Sequence, residues 1–352
     1  MNKLSLCIIA KDEEKNIARC LESLQQYADE IVVVDTGSKD RTKEIALSFT
    51  KNVYDYKWND DFSEARNFTI QKASNEYILF IDSDEIIIKC ELEELDNLIN
   101  ENPRLVGRVI IENEYSRNGI EYRYNERLSR LFSKKYFKYV GTIHEQITPN
   151  DDKNVQSVNI PITIRHFGYD GNIEVRKKKT ARNIELLLHA LMMEPDDPYI
   201  LYQLGKSYYM EENYKKSYEY FSKALYLDLD TSLDYVQDMV ESYGYSLLNL
   251  EEYETSLHLL NVYDEFSKNA DFIFLVGLIL MNNMRYKEAI EQFRQATSMP
   301  KSKMEGVNSY LSYYNIGVIQ ECLGNIKEAV KHYKMCGSYS LAIARLQQIG
   351  KV

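Results

Sequence analysis

Short apolar runs alternate with stretches of helical period through the first hundred residues. Residues 4–9, 31–34, 52–56 and 77–81 are too short for core helices and apolar enough for buried strands. Between them, Ile17, Cys20, Leu21, Leu24 and Ala28, then Ile45, Ala46 and Phe49, recur at helical spacing. Residues 62–73 make a third helix, and a fourth is expected around Leu92, Leu95 and Ile99. Ser38 reads as the N-cap of the second. Repeated βα units predict an α/β domain with a mostly parallel sheet covered on both faces.

After residues 106–111 the pattern changes. Arg117-Asn118-Gly119-Ile120 predicts a hairpin turn between strands 109–115 and 121–124. Further strands are expected at 127–133, 139–147 and 162–167, so the sheet becomes mixed.

From about Tyr199 the pattern is wholly helical and repetitive. Glycines stand at 205, 244, 277 and 317; twelve residues later come Ser217, Ser256, Ala289 and Ala329, and four further on Phe221, Leu260, Phe293 and Tyr333. The glycine spacings are 39, 33 and 40 residues. They bracket the 34-residue tetratricopeptide period, with insertions of about six residues between some copies. Small, small, large in fixed order is what paired helices need at close crossings. The first copy, QLGKSYYMEENYKKSYEYFSKAL, is the clearest and the third nearly as good. Four copies exceed the roughly three that a self-stable stack needs, and residues 341–349 serve as a cap. The expected division is an α/β domain at 1–170, a connecting helix at 171–197 and an all-α tetratricopeptide superhelix at 198–352.

Composition narrows the class. The chain has 352 residues, 44% of them hydrophobic, which suits two packed domains. Its net charge of -11 argues against a general nucleic-acid binder. The five cysteines are scattered without a CxxC, which favours free thiols in a reducing compartment. No apolar run is long enough to span a membrane, so a cytoplasmic protein is expected, with peripheral association at the inner membrane face left open.

Chemistry gathers where strands end. Asp82-Ser83-Asp84 follows the run 77–81, and ligands of open α/β sheets sit at the C-terminal ends of strands. Two crowded carboxylates call for a cation, most simply a divalent metal that completes its shell with substrate phosphates; a solvated turn is the bland alternative. The first loop, Ala10-Lys11-Asp12-Glu13, is acidic, and the chain contains no GxG, so a glycine-rich phosphate cradle is excluded. An acidic loop repels phosphate but accepts hydrogen bonds from a base or ribose, and Asp35 after the second strand is placed for the same work.

IIAKDEEKNIARCLESL, EIVVVDTGSKDRT, WNDDFSEARN, YILFIDSDE, RLFSKKYFKYVGTIHE and IRHFGY, in that order, resemble the blocks of family 2 glycosyltransferases of the GT-A fold. More narrowly they resemble the subgroup with C-terminal tetratricopeptide repeats, which includes lipopolysaccharide-core glucosyltransferases and the peptide S-glycosyltransferases of glycocin biosynthesis. The resemblance implies inverting transfer from a nucleotide-sugar, usually UDP-linked, with manganese or magnesium. It places Ala10, Lys11, Glu13, Asp35, Arg66, Asp82 and Ser83 with the donor nucleotide. Asp84 becomes the main metal ligand, with Asp82 beside it. Asp12 stands where the family usually has Asn. Among candidate catalytic residues, the resemblance favours Glu145 as base and gives His144 a metal or diphosphate contact, while Glu112 and Glu114 remain alternative bases. His166 reads as a structural histidine, Trp58 as packing or a wall of the site, and Arg176-Lys177-Lys178-Lys179 with Arg182 as a solvated helix face. The repeats, in a chain with 29 tyrosines, suit a peptide, protein or saccharide acceptor, or pairing of two copies. Two other classes compete: a sugar nucleotidyltransferase, which needs a glycine-rich first loop, and a repeat scaffold with an inactive nucleotide-sugar domain.

Overall fold

The computed structural model describes residues 3–117, 120–151, 153, 155–167 and 173–350. Asn118 and Gly119 of the expected hairpin turn, Gly168 and Tyr169 of the HFGY block, and the side chain of Arg176 lie outside the described residues. The chain divides into two compact units, Met1–Arg176 and Lys177–Val352.

The first unit begins with β1 (Leu4–Ala10), α1 (Ile17–Leu24), β2 (Glu30–Asp35), α2 (Thr42–Phe49), β3 (Val53–Asp55), α3 (Phe62–Lys72) and β4 (Tyr77–Phe80). It continues with β5 (Glu85–Cys90), α4 (Leu92–Glu101), β6 (Leu105–Arg117), β7 (Ile120–Ser133), β8 (Phe137–Val140), β9 (Gln146–Pro149) and β10 (Gln156–His166). Eight strands form one mixed sheet in the order β3-β2-β1-β4-β7-β6-β10-β5, and β8 and β9 form a separate antiparallel pair. Strand alternation feeds two cores. Leu4, Leu6 and Ile8 of β1 pack in the core that holds Ile17, Cys20, Leu21 and Leu24 of α1. Cys7 of the same strand packs with Val32, Ile78, Phe80 and Phe132 in the other.

Four local expectations change. The stretch 139–147 is two strands, β8 and β9, because the backbone turns left-handed at Gly141 (φ 106°) and His144 (φ 51°). Residues 121–133 are one strand, β7, paired along its length with β6. Residues 85–90, straight after the Asp-Ser-Asp loop, form an additional strand, β5, at the edge of the sheet beside β10. Ser38 is not the cap of α2: that helix starts at Thr42, whose N–H donates to Asp40, and the Ser38 hydroxyl instead accepts from the Asp12 N–H.

Helix α5 (Ile173–Met193) carries the chain into the second unit, with Lys177, Lys178, Lys179 and Arg182 exposed and Ile184 and Leu187 buried. There, helices pair as α6 (Pro198–Met210) with α7 (Tyr214–Leu225), α11 (Ala270–Asn282) with α12 (Tyr286–Ser298), and α13 (Tyr310–Cys322) with α14 (Ile326–Met335). In the second repeat α8 (Asp234–Asn249) meets a broken partner: α9 (Tyr253–Ser256), a 3-10 turn (Leu257–Val262) and α10 (Tyr263–Phe266). A cap, α15 (Ser340–Ile349), ends the stack. The repeat glycines sit under large side chains. A Cβ at Gly277 would stand 2.6 Å from the Phe293 ring, and one at Gly317 the same distance from Tyr333. In the broken repeat Gly244 lies under Leu275 of α11 and Leu259 of the 3-10 turn, while Leu260 is not among its nearest neighbours.

Candidate active site

β7 runs antiparallel to both β4 and β6, and β10 runs parallel to β6. The C-terminal ends of β1, β2, β4, β6 and β10 therefore share one edge of the sheet, the edge where α/β proteins place ligands. Sequence-predicted residues from five separate segments meet along it.

Ala10 ends β1 directly opposite Asp35 at the end of β2. Its carbonyl accepts from the Thr36 N–H at 2.9 Å. Lys11 is exposed, and Asp12 adopts φ 55° and accepts from the Lys39 N–H at 2.7 Å, which ties the first loop to the second. Glu13 is buried and accepts from the Asn16 amide at 2.7 Å. Asp35 is 4% exposed. Its Oδ2 accepts from the N–H groups of Gly37 and Ser38 at 3.1 and 3.0 Å, whereas Oδ1 is buried with no hydrogen-bond partner. A buried acceptor left open costs free energy, and ligand sites are where such groups persist.

The loop after β4 is held by side chains from distant strands. Asp82 Oδ1 accepts from Arg66 Nη2 at 3.1 Å and its Oδ2 from Arg130 Nη2 at 2.7 Å. Arg130, on β7, also pairs with Glu85 at 2.9 Å, and Glu85 accepts the Asp82 N–H at 2.8 Å. Charge compensation for Asp82 thus comes from two arginines, where a divalent metal was the simplest expectation. Burial opposes ionisation of Asp82, but Arg130 and Arg66 outweigh it and hold the carboxyl far below its usual range. Burial, together with the Asp82 charge, pushes Glu85 the other way. Ser83 is buried in the turn.

Arg66 lies on α3, whose N-cap Asp61 accepts from the Glu64 N–H at 2.9 Å. Its guanidinium lies over Phe80 and Tyr139, 4.8 and 5.3 Å from the ring centroids, and ion-pairs with Glu145. The Glu145 loop is bound to the same helix: the Phe62 N–H donates to Thr142, and Asn67 exchanges two hydrogen bonds with the Tyr139 backbone. His144 is lowered in pKa by burial, and its Nε2 has no hydrogen-bond partner. Trp58 donates to Asp60 and packs edge-on against Phe62 at the start of α3.

His166, expected to be structural, ends β10 with Nε2 3.6 Å from Asp84 Oδ2. Burial alone would lower its pKa, but Asp84 and the neighbouring acids raise it. Glu112 and Glu114, the alternative bases, pair with Arg165 and Arg123. Strand alternation puts them on the face opposite Asn113, which contacts His166. Glu85, Asn113 and Arg130 were missed by sequence reading.

A cation fits this edge. Asp84 with His166 offers an oxygen and a nitrogen donor, beside Asp82 and Glu145, whose charges Arg66 and Arg130 meet. Among the described residues no three His, Cys, Asp or Glu side chains cluster as a metal cage. A magnesium-type site needs only one or two carboxylates from the chain, with substrate oxygens and water completing the shell.

Residues 5–151 match the family description "Glycosyl transferase family 2", and residues 198–231 and 270–303 match "Tetratricopeptide repeat". Residues 5–151 are thus a domain of the glycosyl transferase family 2 type, and tetratricopeptide repeats follow it. A TPR repeat-containing protein of Synechococcus elongatus is 32% identical over 64% of this chain and 57% of its own length. The SPbeta prophage-derived glycosyltransferase SunS of Bacillus subtilis is 27% identical over 80% of this chain and 67% of its own. LpsC, a lipopolysaccharide core biosynthesis glycosyltransferase of Rhizobium meliloti, is 30% identical over 42% of this chain and 57% of its own. The chain thus spans between 57% and 67% of the length of these three relatives. The glycosyltransferase match covers the strands and helices that build the acidic edge, up to Glu145 and β9, and ends before β10 and His166. The two repeat matches are the first and third copies, the two clearest in the sequence. No helix among the described residues is long and apolar enough to cross a membrane.

Proposed function

We propose that this chain is a glycosyltransferase that catalyses inverting, metal-dependent transfer of a sugar from a UDP-sugar to a peptide, protein or glycan acceptor, which the repeats help to recruit. The observation that carries this reading is the open Asp35 Oδ1 on the same sheet edge as Asp84 and His166. A carboxylate oxygen accepts, so it suits a base with an N–H at that position. Uracil N3–H and guanine N1–H meet the requirement with a ring N–H, whereas cytosine offers only its exocyclic amine. Ala10, Lys11 and Glu13 flank the nucleoside, with Ser83 at the turn beyond.

Asp84 and His166 would hold manganese or magnesium, whose Lewis acidity stabilises the departing diphosphate. Asp82 contributes its charge and orients Arg66 and Arg130. Arg66 faces the diphosphate, where its planar donors suit phosphate oxygens. Glu145 is the base, oriented by its ion pair with Arg66, and takes the proton of the acceptor hydroxyl or thiol. The acceptor atom bonds to the anomeric carbon from the face opposite the diphosphate. The carbon–oxygen bond to the diphosphate breaks, its electron pair leaves with that oxygen, and the configuration inverts. His144 offers its open ring nitrogen to the diphosphate.

The test is thermal stability with UDP-, GDP- and CDP-sugars, each with and without manganese. A UDP-sugar at 100 times its dissociation constant should stabilise by roughly 2.7 kcal/mol, only with metal, while CDP-sugars give no shift. Silence toward every donor would overturn the reading in favour of a repeat scaffold.

A further inference from the structure

Behind His166 lies a two-residue relay that sets which ring nitrogen faces Asp84. Asn113 sits on β6 directly opposite His166 in the parallel ladder and is 2% exposed. One end of its amide is 2.8 Å from Glu126 Oε1 on β7, and the other is 2.9 Å from His166 Nδ1. A carboxylate cannot donate, so the amide end facing Glu126 is the NH2 group. The end facing His166 is then the amide oxygen, which only accepts, so Nδ1 must carry the hydrogen. In the neutral ring the lone pair falls on Nε2, which faces Asp84 Oδ2 at 3.6 Å. A proton on Nε2 pairs with that carboxylate when no metal is bound, and a metal ion that replaces the proton would have a nitrogen and an oxygen donor on either side.

We infer that Asn113, oriented by Glu126, is a positioning residue that fixes His166 in the Nδ1–H form with Nε2 presented as a metal ligand beside Asp84. The inference rests on the metal reading above. Partners that orient a ligating imidazole typically contribute 10- to 100-fold in metal affinity. Arg165 and Glu112, on the opposite face of the same two strands, form an ion pair of their own and take no part.

The experiment is titration of the full chain with Mn2+ in the presence of UDP, following free Mn2+ by electron paramagnetic resonance. His166→Ala is the control and should weaken binding severely. Asn113→Ala should weaken it about 10- to 100-fold. Asn113→Asp should weaken it too, because two carboxylates then confront each other at 113 and 126. Adding Glu126→Gln to Asn113→Asp restores a donor opposite the new acceptor and should bring affinity back to within a few fold of the wild type. A purely structural role would lower the melting temperature without this loss and rescue. If His166→Ala weakens Mn2+ binding but Asn113→Ala does not, and Asn113→Asp matches the double variant, the relay is wrong and the metal reading stands. If His166→Ala and Asp84→Ala both leave Mn2+ binding unchanged, the metal reading fails and takes the relay with it.

Discussion

Asp35 separates a binding role from a folding role at the level of one atom. In Asp35→Asn the amide oxygen can still accept from Gly37 and Ser38, so the turn after β2 keeps its hydrogen bonds. The amide nitrogen then presents hydrogens where Oδ1 was open, and a base N–H meets a donor. The expected result is a loss of UDP affinity of about 1.5–3 kcal/mol, roughly ten- to hundredfold, with little change in melting temperature. Isothermal titration with UDP and manganese checks it; unchanged affinity would move the nucleoside away from Asp35. Asp35, Asp82 and Asp84 were legible in the sequence because each follows an apolar run that could only be a buried strand. Arg130, Asn113 and Glu85 were not. On a strand with one polar face a lone Arg or Asn looks like any solvent-facing position, and only the pairing of β6, β7 and β10 turns these residues toward the site. His166 was visible, but its nearness to Asp84 depends on β5 and β10 pairing, and β5 itself was not foreseen.

Helix α8 carries a buried charge with a measurable pH signature. Glu241 accepts from Gln237 on its own helix and from Asn269, the N-cap of α11, and stands 3.7 Å from Lys303. Asp238 beside it pairs with Lys206 and Tyr202 of α6, while Asp271 of α11 accepts from the backbone at 303 and 304. Burial first, then the charges of Asp238 and Asp271, raise Glu241 from 4.5 to about 7 against the pull of Lys303. The unfolded chain releases this proton near its ordinary value, whereas the folded chain keeps it until about pH 7. Between those values the folded state binds more protons, so stability falls as pH rises, by at most about 3 kcal/mol from this group. Glu241→Gln should flatten that fall and raise the melting temperature more at pH 8 than at pH 5. A uniform shift at both pH values would show that Glu241 is ionised throughout. At this scale the sequence was readable where period and spacing are regular, as in the Gly–Phe and Gly–Tyr crossings of three repeats. It misled where a helix breaks, because Leu275 and Leu259 rather than Leu260 stand over Gly244, and where left-handed turns at Gly141 and His144 split one apolar stretch into two strands.

For the whole molecule, the separation of the donor site from the repeats has a thermodynamic consequence. Every residue assigned to donor, metal or base lies within Met1–Arg176, and the large apolar cluster around Phe272 and Phe293 lies within Lys177–Val352. A ligand stabilises only the cooperative unit whose folded form it binds. Differential scanning calorimetry should therefore resolve two transitions, of which UDP with manganese raises one by roughly 2.7 kcal/mol at 100 times its dissociation constant. Gly277→Ala should lower only the other. The added Cβ would meet the Phe293 ring at 2.6 Å, closer than any relaxed contact, and overpacking of this kind costs about 1–3 kcal/mol. Donor affinity should survive Gly277→Ala unchanged, because Gly277 and the donor residues belong to different units. If the substitution moved both transitions, or weakened UDP binding, the two units would fold as one cooperative block.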